Sequence, residues 1–173
     1  AMTSFDSAPV EILAGDLEAA EAELRRDYDT LERMGETNYI STTAALLAEV
    51  LFRQGDFDGA DECTRICEEL AARDDVVSQF RWRSVRAKIL ASRGRFAEAE
   101  TLAREAVALI RRSDDLNSQA EASLDLAEVL RLADRPLEAA EAAREALALF
   151  EAKGNTVAAA IARATLDELA GVS

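Results

Sequence analysis

Apolar residues recur along this chain with the three-to-four-residue spacing of amphipathic helices, in stretches separated by short polar turns. The pattern predicts helices over 16–34, 37–54, 56–72, 77–93, 95–112, 116–133, 136–152 and 155–170. Residues 8–14 read as a short stub ahead of them. Seven glycines and two prolines leave long helices uninterrupted. No alternating strand pattern competes, so the predicted class is all-α.

The turns repeat. Gly15-Asp16-Leu17, Gly55-Asp56-Phe57, Gly94-Arg95-Phe96 and Asp134-Arg135-Pro136 begin 40, 39 and 40 residues apart. Each is followed by alanine five residues after its first position, at Ala20, Ala60, Ala99 and Ala139. Seven before the last three turns stand Ala48, Ala87 and Ala127; four before them stand Leu51, Leu90 and Leu130. Twelve after come Cys67, Ala106 and Ala146, where the first repeat has Asp27. Small residues at these sites let neighbouring helices approach closely. Asp74-Asp75 with Ser78-Gln79 recurs as Asp114-Asp115 with Ser118-Gln119, where acids and hydroxyls can cap the first amides of a helix.

This set of small residues around a G-[DR]-[FL]-x-x-A turn resembles the tetratricopeptide repeat (TPR), with a period of 39–40 rather than the usual 34. The resemblance implies a right-handed superhelical TPR-like solenoid of antiparallel helix hairpins over 15–173, closed by the helix 155–170. Residues 1–14 are then a cloning scar (Ala1-Met2) and stub. A start and end in mid-repeat suggest a piece of something longer.

Composition narrows the function. With 34 acidic and 20 basic residues the net charge is −14, unfavourable for nucleic acid and for an anionic membrane surface. No stretch is apolar enough to span a bilayer, and a cytoplasmic location is expected. The chain lacks histidine, the commonest general base and metal ligand. Cys63 and Cys67 lie one helical turn apart, but they occupy repeat positions held elsewhere by Leu102, Ala142, Ala106 and Ala146, so packing explains them. Glu98, Glu100 and Glu105 read as a solvated helix face. No catalytic group, metal or cofactor is expected.

A closer resemblance rests on Leu31-Glu32-Arg33-Met34-Gly35-Glu36-Thr37, on the stretches 41–48 and 78–88, on 125–130, and on Phe150-Glu151-Ala152-Lys153-Gly154-Asn155. Together they resemble the C-terminal repeats of bacterial regulators that carry a cyclase domain and an AAA/NB-ARC-like ATPase. That resemblance implies a docking or sensing role without chemistry of its own.

One stretch departs from the acidic background. Between Arg81 and Arg95 stand six bases and no acid. In the repeat the first helix of each hairpin lines the concave groove. By its positions Glu49, Phe52 and Arg53 face the groove from one helix, Arg81, Ser84 and Lys88 from the next, and Glu128 and Arg131 from the third. Arg86 takes a place held by Leu47 and Leu126, which demands an acid, carbonyls or an exit to solvent. Trp82 is expected to pack between repeats, over the small Thr43 and Ala122. Two readings stay open: the bases pair with acids on neighbouring helices, or they receive an acidic peptide, a carboxylate terminus or another domain. A small anionic ligand and homo-oligomerisation through a repeat end are the alternatives.

Overall fold

A computed structural model describes residue 12 and residues 15–171, so the predicted stub at 8–14 lies outside the described residues except for Ile12. Among them are eight helices and no strand. They are α1 (Leu17–Met34), α2 (Thr37–Gln54), α3 (Phe57–Leu70), α4 (Val76–Ser92), α5 (Phe96–Ile110), α6 (Leu116–Leu132), α7 (Pro136–Lys153) and α8 (Thr156–Gly171). The chain divides into two compact units, Ala1–Val85 and Arg86–Ser173, with the division inside α4. In the first unit α1 packs on α2 and α2 on α3; in the second α5 packs on α6, α6 on α7 and α7 on α8. The all-helical class and the TPR-like packing of neighbouring helices follow the expectation.

Local chemistry sets the helix ends. At Gly55 the amide of the residue after the glycine, Asp56, reaches back to the Leu51 carbonyl at 2.9 Å. The amide of Gly55 itself meets Phe52 at 3.0 Å. Arg95 to Leu90 and Arg135 to Leu130 repeat the first bond at 2.9 and 3.0 Å. This 6→1 closure needs a left-handed residue at the corner. Gly55 and Gly94 supply it with φ of 85° and 77°, whereas Asp134 supplies it with a side chain at φ 58°. Asp134→Gly should therefore stabilise the chain by up to about 1 kcal/mol. Chemical denaturation checks this, and a loss of stability would show that the Asp134 side chain makes a compensating contact.

Two helices end earlier than their pattern. α3 stops at Leu70 rather than 72, and α5 at Ile110 rather than 112. Neither has a glycine corner; Ala71 instead turns extended, with ψ of 123°. The starts follow the recurring acids. Asp75 Oδ1 accepts from the Ser78 amide at 3.0 Å, and Asp115 Oδ1 accepts from Asn117 and Ser118 at 3.1 and 3.3 Å. Asn155, a further 40 residues on, accepts from the Ala158 amide at 3.1 Å.

Gln79 and Gln119, which accompany these caps, work backwards along the chain. Gln79 Nε2 donates to the carbonyls of Ala71 and Ala72 at 3.1 and 3.2 Å, and Gln119 Nε2 to that of Ser113 at 2.7 Å. One motif thus opens a helix and closes the preceding connection, giving its carbonyls side-chain donors.

The small repeat residues form the core. Ala20, Ala60, Ala99 and Ala139 are fully buried, as are Ala48, Ala87, Cys67, Ala106 and Ala146. Asp27, the exception in the first repeat, remains only partly buried.

Candidate functional site

The bases of α4 meet different fates. Lys88 is 2% exposed, and its Nζ lies 2.7 Å from Asp125 Oδ1 on α6, whose side chain is 22% exposed. Burial of an ammonium is tolerated only with such a partner. Ser84, one turn before it, is buried too, and its Oγ has no hydrogen-bond partner. Arg83 turns back onto its own helix. Its Nη1 donates to the Gln79 carbonyl and Oε1 at 2.7 and 2.6 Å, and its guanidinium lies 4.1 Å from the Trp82 ring centre. Trp82 is buried and donates from Nε1 to Gln79 Oε1 at 3.2 Å. Arg81 is partly exposed beside the Phe80 ring, and Arg86 is partly buried. Arg95 pairs with Glu98.

The other predicted groove residues stay nearer the surface. In the first unit Arg53 Nε donates to Glu49 Oε1 at 2.6 Å one turn back, while the partly exposed Phe52 packs against Phe57 with ring centres 5.5 Å apart. In the second unit Arg131 is exposed and Glu128 partly buried. The structure therefore separates these residues by accessibility: Arg53 and Arg131 are exposed and Phe52 and Arg81 partly so, whereas Ser84 and Lys88 lie inside.

The second unit carries an ion network on a helix face whose acids the sequence presents as solvated. Arg135 pairs with Glu138 and reaches Glu100 on α5; Arg104 binds Glu100 at 2.8 Å and approaches Glu138 at 3.8 Å. Two turns on from Arg104, just past the end of α5, Arg111 joins Glu145 of α7 at 2.6 Å. Hydrogen bonding to Arg135 holds the Glu138 carboxyl below its ordinary pKa. Burial works to raise Glu100, but Arg104 and Arg135 outweigh it and lower it as well. The signal was present in the chain as Arg95 with Glu98 and Arg135 with Glu138, the same pair 40 residues apart.

Cys63 and Cys67 are free and buried, and Cys67 Sγ donates to the Ser78 carbonyl at 3.6 Å. Desolvation pushes the Cys63 thiol up to about 11, which leaves it protonated and unreactive at neutral pH. Among the described residues no cluster of three or more acidic, cysteine or histidine side chains could hold a metal ion. No described helix is long and apolar enough to cross a membrane.

Comparison with known proteins agrees with this architecture. Residues 80–152 match the tetratricopeptide repeat family model. No curated protein matches the chain. Among solved structures, the crystal structure of BtubC (BKLC) from P. vanneervenii superposes with a TM-score of 0.63 at 19% identity, over 88% of this chain. The match spans 65% of that protein's chain, and at this identity it speaks for the fold alone. TPR-type folds are in general non-catalytic and mediate protein–protein interaction. The chain carries a TPR-like repeat region, placed by the family match on residues 80–152 and built as stacked helix hairpins.

Proposed function

We propose that this chain is a non-catalytic docking module that binds a protein or peptide through exposed and partly exposed residues on the first helix of its hairpins. Following the closer resemblance above, it serves as a regulatory part of a larger signalling ATPase or cyclase-type protein. The observation that carries the reading is the register of the repeat: the same turn, caps and buried small residues recur at 39–40 residues. Such a stack holds its surface side chains on rigid helices, which lowers the cost of ordering a binding face.

In the first unit the contacts assigned to a partner are Arg81, Phe52 and Arg53, and in the second unit, taken by itself, Arg131. An acidic segment suits them. Lys88 supports the scaffold through Asp125 rather than touching the partner.

The test is capture of a partner from the source cell by the native chain, by Arg81→Glu and by Arg131→Glu, with melting temperatures measured alongside. Loss of the same protein from both variants at unchanged melting temperature is expected. Equal retention by all three would remove these arginines from the binding face. Lys88→Glu is unsuited to this comparison, because it places two carboxylates together in the interior.

A further inference from the structure

Above α6 in the second unit lies a cleft of about 280 Å³ between α5 and α7. Its walls are two matched helical stripes at i, i+3, i+4 and i+7. Arg104, Val107, Ala108 and Arg111 line the α5 side, and Glu138, Glu141, Ala142 and Glu145 the α7 side. Leu126 and Leu130 of α6 form an apolar floor. The ends are bridged by ion pairs, Arg104 with Glu138 and Arg111 with Glu145. Between those pairs sits Glu141, exposed and without a cation of its own among the described residues.

This arrangement has a definite complement. The lining sets two arginines against three glutamates, so one negative charge is left over, at the middle of a cleft with an apolar floor and charged walls. A side chain with a long aliphatic stem and a terminal cation satisfies both halves of the site. We infer that the cleft receives a single lysine or arginine side chain of a partner protein, its stem on Leu126, Leu130 and Val107 and its cation on Glu141. Basic side chains lay their methylenes along apolar surface in this way while keeping the charge in a wet environment. The net charge of −14 draws a basic segment to the chain from a distance. The site is not a general consequence of the repeat. At the corresponding place on α1 the bulky Tyr28 replaces Val107, and Asp29 and Glu32 replace Ala108 and Arg111.

The inference rests on the docking reading, but it uses a different surface and a partner group of opposite charge. Its test is a titration of the isotope-labelled full chain, followed by amide chemical shifts, with a synthetic alanine-rich helical peptide bearing one central lysine. A second peptide carries norleucine in place of the lysine, and the first is repeated with Glu141→Gln, an exposed site whose change leaves the melting temperature unaltered. The expected result is shifts confined to 104–111 and 138–145, with binding at least about threefold weaker for the norleucine peptide and for Glu141→Gln, as suits an exposed charge pair. Equal binding in either control overturns the inference, as does the absence of shifts in those two stretches. Shifts elsewhere alone would overturn the cleft and leave the docking reading standing. Failure of the arginine variants in the capture experiment, with the titration as expected, would remove only Arg81 and Arg131 as partner contacts.

Discussion

Phe150→Ala is expected to destabilise the chain by about 3–5 kcal/mol, among the largest effects of any single truncation. Phe150 is 2% exposed and sits in a cluster whose other buried members are Ala120, Ala146, Ala158, Ala159 and Ala162. Each of those is a methyl group fixed to a helix backbone, so none can swing inward to fill the space of a lost ring. The cavity would close only if whole helices moved, which rigid packing resists. The partly buried Leu124, Leu147 and Leu149 lie against the cluster and offer limited relief. Because a stacked repeat holds each element chiefly through its neighbours, the loss should appear first as opening of α8. For a chain of this size it corresponds to a fall in melting temperature of about 6–20 °C. Circular dichroism melts with hydrogen exchange over 156–171 measure both. A loss below about 1 kcal/mol would mean that the alanine cluster is not packed around the ring as described.

Lys88→Met should cost about 2–4 kcal/mol, although methionine matches the lysine stem in shape and suits the interior better. The cost comes from the partner left behind. Asp125 then keeps a carboxylate with limited access to water and loses the ammonium at 2.7 Å. Removing one member of a buried pair costs more than the pair itself contributes. The upper end of the usual range is not expected, because the Asp125 side chain retains 22% exposure. The double replacement Lys88→Met with Asp125→Leu should recover most of the loss. Urea denaturation of the two single variants and the double gives the coupling directly. A coupling near zero would show that the two charges do not depend on each other.

These two residues also show where sequence reasoning reaches its limit. The repeat register placed Lys88 among groove-facing residues and singled out no role for Asp125. A side chain's position on its own helix follows from spacing, but its accessibility depends on what another helix, 37 residues away in sequence, presents to it. Ser84, from the same set of positions, is buried as well. Arg53 and Arg131 stay at the surface, because they stand in the last turn of their helices, beside the exposed corners at Gly55 and Asp134.

Features set by local interactions are legible in the chain. Helix starts follow from Asp75, Asp115 and Asn155, whose side-chain oxygens meet amides no more than three residues ahead. Sharp helix ends follow from residues that accept a left-handed backbone, and the two misplaced ends are those without one. The buried alanines were legible because close helix approach admits only a small side chain, whatever the partner. By itself, then, the sequence determined the helices, their caps and the small-residue core, all of which depend on interactions within a few residues or on a lack of volume. Tertiary structure alone decided which charges pair between helices, as Lys88 does with Asp125 and Arg111 with Glu145, that Lys88 serves the scaffold, and that α5 and α7 enclose a cleft around Glu141. Those outcomes depend on distances between helices, and pairing over some forty residues of chain leaves no periodic trace in either partner.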